Sequence, residues 1–322
     1  MAKLSLRVII LLLGVSLSLT SYADCKIIKI HGTVDRDWLM RDVITLADDD
    51  MQGRKNGGTG IEKARVYLTQ RFKDVGLKSF ERYPDYKQHF ILEKWLNDIE
   101  GVNILGWIEG SEYPNEFIVV TAHYDHIGMS GRQIFNGADD NASGVAGLLA
   151  LANSLHQEPP SHSVIFLATD AEEKGLIGAN AFVTNPPVDI EQIKVNLNLD
   201  MLSQGGFKKR LYVFGPKIFP QFASVFEQSK ESAGLCLKPG RQGIARGFSE
   251  SRRINWRTVS DHGAFYKKDI PFLFVGVNEH HLYHTENDTF ENIQEDFFIA
   301  AVESSLTILR GLDGLSLGQA QP

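Results

Sequence analysis

Apolar residues recur at helical spacing in GTGIEKARVYLTQRFKDVGL, where Ile61, Ala64, Leu68, Phe72 and Val75 share one face and predict an amphipathic helix over 59–75. Thr59 and Glu62 have the spacing of a capping box, and Gly76 supplies a stop. Further helical patterns cover about 38–46, 144–156, 175–183 and 293–312. Between them lie short runs of apolar and β-branched residues at about 102–108, 117–121, 164–168, 195–199, 211–214 and 272–277. Their length and near-continuous hydrophobicity predict strands of a mostly buried sheet. Helices alternating with such strands give an α/β fold class, a single globular domain whose twisted, mixed and largely parallel sheet carries helices on both faces. No internal repeat, low-complexity tract or Pro/Gly linker divides the chain beyond residue 23.

Composition adds little to this picture and charge removes some options. The 322 residues are 43% hydrophobic and 23% charged, as expected of a globular protein. A net charge of -7 leaves no basic footprint for nucleic acid or an anionic membrane. The N-terminus is different in kind: Lys3 and Arg7 precede an apolar run from Val8 to about Leu19, followed by the small residues Ser21 and Ala23. That is the pattern of a secretory signal peptide cleaved after Ala23. The apolar run falls short of the ~20 residues that span a bilayer, so residues 24–322 are expected to be secreted or periplasmic without a stable membrane anchor. Asp24 ahead of Cys25 argues against lipidation. In an oxidising compartment Cys25 and Cys236 either pair or remain thiols, and their spacing does not choose between these.

Ligands of open α/β sheets bind beyond the carboxyl ends of the strands. His123 and Asp125 follow the 117 strand in AHYDHIG, and Glu172 and Glu173 follow the 164 strand in TDAEEKG. Asp200 ends the 195 strand in NLDM, and His284 lies in EHHLYHTENDT after the 272 strand. Asp139 and Asp140 occupy NGADDNASG, just before the helix from 144. Taken singly, each has an ordinary explanation: an Asp before a helix caps it, and a loop His faces solvent. Together they bring imidazoles and several carboxylates to one sheet edge, where without a cation the carboxylates would repel one another. A His and carboxylate set without Cys suits zinc or a similar divalent ion, and the surplus of acids points to two ions sharing a bridging carboxylate.

The ordered motifs HYD, GADDNASG, DAEE, NLDM, SDH and YHTENDT resemble those of secreted di-zinc aminopeptidases of the bacterial leucyl aminopeptidase type, from near Leu46 to the C-terminus. The resemblance implies a zinc-peptidase α/β domain with two Zn²⁺ per chain, and the stretch from Asp37 to Val102, short and mostly helical in pattern, shows no protease-associated insertion. It implies that Asp140 bridges the metals, that His123 and Glu173 complete one zinc site, and that Asp200 and His284 complete the other. Asp125 would accept the His123 imidazole proton, Asp139 would be a hydrogen-bonding neighbour, and the Asp140–Asn141 peptide bond would be cis. Glu172 matches the general base, Tyr283 a tyrosine that in some relatives donates to the substrate carbonyl, and Ser260 a pocket residue. The implied function is a zinc-dependent exopeptidase acting on peptides with a free N-terminus. Cations ~3.5 to 4 Å apart would hold a metal-bridged water, and Glu172 would move its proton to the leaving amine.

Three other readings share this fold. A glutaminyl-peptide cyclase uses one zinc, and its loops usually differ from GADDNASG and LDM. A carboxypeptidase needs a basic pocket, for which Arg241, Arg246, Arg252, Arg253 and Arg257 are available, although a solvated loop explains them as well. A non-catalytic binding ectodomain loses ligands, whereas all five are present here. No sequence feature sets the oligomeric state.

Overall fold

The computed structural model describes residues 28–93, 97–240, 244–246 and 253–317. Two helices lead the chain, α1 (Arg36–Leu46) and α2 (Thr59–Val75). They are followed by β1 (Lys87–Leu92), β2 (Ile99–Ile108), β3 (Tyr113–His123) and a small hairpin of β4 (Gly128–Ser130) and β5 (Gln133–Phe135). Next come α3 (Gly144–Gln157), β6 (His162–Thr169), α4 (Ile177–Thr184), β7 (Ile193–Leu199) and β8 (Arg210–Phe214). The chain continues through α5 (Ala223–Ser232), β9 (Cys236–Pro239) and a second hairpin of β10 (Ile244–Arg246) and β11 (Arg253–Asn255). It ends with α6 (His262–Tyr266), β12 (Phe272–Gly276) and α7 (Glu295–Asp313).

One eight-stranded sheet runs in the order β1-β2-β6-β3-β7-β12-β8-β9. Its four central strands, β6, β3, β7 and β12, are mutually parallel, and antiparallel pairings flank them. Side-chain alternation sets the layers. Ile118, Val120 and Ala122 of β3 and Val164, Phe166 and Ala168 of β6 face a core shared with α1, α2, α3, α5 and α7. Phe117, Val119, Ile165 and Leu167 face the opposite core, with Phe182 of α4 and Phe265 of α6. The expected mixed, largely parallel sheet in a single domain with helices on both faces is therefore what the chain forms. Among the described residues no helix is long and apolar enough to cross a membrane.

The boundary of α2 differs from expectation at one end. Gly76 stops the helix at a φ of 83°, as expected, but Gly58 is the N-cap and makes no side-chain cap hydrogen bond. Thr59 lies inside the helix and donates to Gln52 Oε1 at 2.7 Å, while Glu62 pairs with Arg65. The capping box is absent because both of its side chains have other partners.

Arg54 is wholly buried and ties the front of the sheet together. Its Nε donates to Tyr124 O at 2.8 Å, Nη1 to Leu46 O and to Asn136 O at 2.6 Å, and Nη2 to Gly137 O at 3.0 Å. Burial lowers its pKa to about 10 against the opposing charges of Asp288, Asp140 and Asp125, so it remains a cation at neutral pH. Arg54→Met removes the donors for these carbonyls, at ~1–3 kcal/mol for each group left unsatisfied. We expect urea unfolding to show a loss of at least ~4 kcal/mol, of the size reserved for breaking a buried network. A loss below ~1 kcal/mol would contradict this role.

Candidate metal centre

The carboxyl ends of the parallel strands gather the polar residues. His123 is the last residue of β3, Asp200 follows β7 directly, Glu172 and Glu173 follow β6, and His284 lies in the loop after β12. Asp140 sits in an irregular helical turn at 138–143 that leads into α3. That turn fits against the end of β7 because position 144 is glycine: a Cβ there would lie 2.2 Å from Asn141 Oδ1 and 2.5 Å from Leu199 O. The Asn141 carboxamide closes the junction, accepting from Gly144 N at 2.9 Å and Met201 N at 3.1 Å and donating to Leu199 O at 3.0 Å. The Asp140–Asn141 peptide bond is cis. Asp288 holds the acidic pair from the loop beyond His284, accepting from Asp139 N at 2.8 Å and Asp140 N at 3.0 Å.

Asp140 presents one carboxylate oxygen to each side. Its Oδ1 lies 3.2 Å from His123 Nε2, which is 3.4 Å from Asp200 Oδ1. Its Oδ2 lies 3.0 Å from His284 Nε2, which is 3.1 Å from Glu173 Oε1. All five residues expected as ligands are thus brought together, but the partners are exchanged: His123 groups with Asp200, and Glu173 with His284. The expected His123–Glu173 and Asp200–His284 pairing is corrected by how far each ligand stands from its strand end. β3 lies between β6 and β7, so strand order permits either partner; Asp200 follows β7 directly and meets His123 at the end of β3, whereas Glu173 lies four residues beyond β6 and meets His284 at the other oxygen of Asp140.

Sequence reasoning passed over His126, which joins the second group. Its Nδ1 is 3.1 Å from Glu173 Oε1 and 3.8 Å from Asp140 Oδ2. The available signal was its place in HYDHIG, three residues after His123 on a segment already leaving the sheet for the site.

Asp125 also differs from expectation. His123 Nδ1 is 3.1 Å from the backbone carbonyl of Asp125 and 3.7 Å from its carboxylate. The carboxylate Oδ1 instead accepts from Glu172 N at 2.9 Å. Asp139 is the hydrogen-bonding neighbour that was expected: Oδ1 accepts from Ser203 N at 2.6 Å and Ser203 Oγ at 2.8 Å, and Oδ2 lies 2.8 Å from His280 Nε2. Tyr283 is half-buried and stacks on His284 with ring centres 3.9 Å apart. Ser260 is buried, and its Oγ accepts from Asn198 Nδ2 at 2.9 Å.

The charges are strongly interdependent. Burial pushes Glu173 up, but the imidazoles of His126 and His284 outweigh it and hold the carboxyl at about 2. Burial likewise opposes ionisation of Asp140, yet His123 and His284 keep it well below the usual carboxylate range. Against its own desolvation, His284 is raised to about 10 by Asp140 and Glu173. Glu172 is pushed well above the carboxylate range by burial, with His123 opposing and Asp200, Asp261 and Glu173 reinforcing the shift.

The donor set fits a divalent ion of the zinc class. Buried atoms of His126, Glu173, Asp200 and His284 have no hydrogen-bond partner and converge within two groups of ligand-type atoms. Such orphaned groups call for an ion or water. Zinc bonds of ~2.0–2.1 Å in a tetrahedron place ligand atoms ~3.3 Å apart. The close imidazole–carboxylate approaches here run from 3.0 to 3.8 Å, and all ligand atoms of each group lie within 4.8 Å of one another.

Residues 103–308 match the model of Peptidase family M28. The chain belongs to that family. Among relatives of the M28 chain is an aminopeptidase of Pseudomonas aeruginosa, 28% identical over 243 residues, which cover 71% of this chain and 41% of the relative. The M28 chain therefore spans less than half the length of that relative. A leucine aminopeptidase precursor from Bacteroides thetaiotaomicron shares its fold at a TM-score of 0.68 with 18% identity, covering 88% of this chain and 99% of that one. A glutaminyl cyclase from the same organism, solved with N-acetylhistamine, does so at 0.67 with 17% identity, covering 86% and 98%. Fold alone does not separate these activities.

Asp288→Ala leaves the two amides of the acidic pair without their acceptor. Loss of a residue that orients a ligand typically weakens metal binding ~10–100-fold. We expect a shift of that size in competition with a chelator while the fold is retained, and unchanged affinity would contradict the role.

Proposed function

We propose that the chain is a zinc-dependent aminopeptidase that hydrolyses the first peptide bond of peptides with a free N-terminus, with Asp140 bridging two zinc ions and Glu172 as general base. The observation that carries this reading is the Asp140 carboxylate, whose two oxygens face separate ligand groups at 3.2 and 3.0 Å. His123 and Asp200 hold one ion in this reading, and Glu173 and His284 the other. Bound there, the pair would polarise the substrate carbonyl and make hydroxide available at neutral pH.

The chain's own residues supply the rest. Glu172 takes the proton of the nucleophilic water on its carboxylate and returns it to the nitrogen of the leaving amine. The bond from its backbone N–H to Asp125 fixes its position. Tyr283, stacked on His284, offers a hydroxyl donor to the substrate carbonyl oxygen. Of the five arginines of the carboxypeptidase alternative, Arg241 and Arg252 and the side chains of Arg246 and Arg253 lie outside what is described, and Arg257 is exposed over the Tyr266 ring.

The leader at 1–23 lies outside the described residues, as does Cys25. Export to a secreted or periplasmic location is nevertheless consistent with Cys236 being disulfide-bonded.

Aminoacyl arylamides with free and blocked N-termini test the substrate class. Turnover of the free forms alone supports the reading, and ammonia release from an N-terminal Gln peptide without peptide cleavage would replace it with the cyclase. Glu172→Gln should keep its metals and KM while kcat falls by ~10²–10⁴-fold or more. Glu173→Ala should lose metal as well as rate. Near wild-type turnover in Glu172→Gln would overturn the assignment of the base.

A further inference from the structure

We infer that His126 is a fourth protein ligand on the Glu173–His284 side of Asp140, which makes the two metal positions unequal. This rests on the dinuclear reading above and extends it. One position would be closed by four side chains, His126, Asp140, Glu173 and His284, whereas the other has three, His123, Asp140 and Asp200, and keeps an open place for substrate. Four protein ligands are the mark of tight structural zinc, and three with an open position the mark of catalytic zinc.

Several observations on His126 are hard to reconcile with a packing role. The side chain is completely buried, yet neither ring nitrogen has a hydrogen-bond partner. A neutral imidazole normally satisfies at least its N–H when taken out of water, so two orphaned nitrogens demand an explanation. Nδ1 is 3.1 Å from Glu173 Oε1 but is not aligned for a hydrogen bond to it, so the contact is a close approach of two atoms of the type that ligate metals. Its distances of 3.1 and 3.8 Å to Glu173 and Asp140 bracket the ~3.3 Å edge of a zinc tetrahedron. The His284 ring faces it edge-on, with centres 5.6 Å apart at 69°, which leaves both imidazoles free to converge.

The ring is also held in place from behind. Position 137 is a glycine at a φ of 58°, where a Cβ would come within 2.6 Å of His126 Cδ2 and 2.7 Å of Cγ. Any other residue there would push the imidazole out of its seat. The backbone N–H of His126 donates to Arg54 O at 3.3 Å, and the Arg54 guanidinium in turn holds the carbonyl of Gly137. One buried residue thereby fixes both the ring's own backbone and the surface behind it.

The test is cobalt and zinc binding by the purified protein, with His126→Gln and His126→Ala. Gln keeps an N–H donor for Glu173, so a supporting hydrogen bond would be largely rescued by Gln, whereas a lost ligand would not. In the wild type, the first equivalent of cobalt should give the intense visible absorption of a four-coordinate site. Both variants should lose that band and bind one of the two ions more weakly than the ~10–100-fold penalty of losing an outer partner, with the second ion little changed. Weak, six-coordinate absorption from the first equivalent in the wild type would overturn the inference without needing any variant. So would His126→Gln with wild-type affinity and spectrum, and in that case the five-ligand reading stands. A wild type that binds no ion at all would overturn that reading and this one together.

Discussion

A carboxylate only 3% exposed between two imidazoles, as Asp140 is, has to have its charge balanced from both sides at once. Ionised groups are costly to bury unless paired. The parallel strand order answers that demand. β3 and β7 bring His123 and Asp200 to one flank, while the segment after β6 and the loop after β12 bring Glu173 and His284 to the other. The imidazoles and carboxylates oppose the effect of one another's burial, so His284 is raised to about 10 by Asp140 and Glu173 while His126 and His284 hold Glu173 at about 2. Cations in the same positions would balance the carboxylates, with the imidazoles neutral and turned to coordination.

The segments around Asp140 are in turn held by buried polar contacts from distant parts of the chain. Arg54 gathers the end of α1, the segment after β3 and the start of the acidic loop through four carbonyls. Asp288 holds the two amides of the acidic pair, and Asp139 links Ser203 to His280. Beneath the SDH segment, Asn198 reaches from β7 to Ser260, and Thr169 at the end of β6 donates to Asp261. A ligand set spread over four strand ends keeps its spacing only if the intervening loops are fixed, and this network does the fixing.

Periodicity made the central strands and long helices legible, because β3, β6 and β12 contain unbroken apolar runs, β7 alternates as VNLNL, and α2, α3 and α7 keep a broad apolar face. It missed β1, whose KQHFIL alternates only partly, along with the ten-residue α5 and five-residue α6, too short for a helical period to stand out. The site was legible as a set of residues, since each ligand ends a strand or begins a loop. Its partition was not: β3 neighbours both β6 and β7, and which ligand meets which depends on how far each stands beyond its strand end. His126 was invisible for a related reason. A histidine in a loop reads as solvent-facing until packing shows it completely buried. The capping box at Thr59 and the Asp125 bond to His123 are local patterns that tertiary partners, Gln52 and the Glu172 amide, displaced.

The central claim is that one carboxylate, Asp140, joins two metal ions. A zinc-edge anomalous difference map from crystals of the zinc-loaded protein tests it most directly. The account predicts two peaks ~3.5 to 4 Å apart, astride the Asp140 carboxylate. A single fully occupied peak in crystals of active protein, with Asp140 bound through one oxygen only, would contradict it.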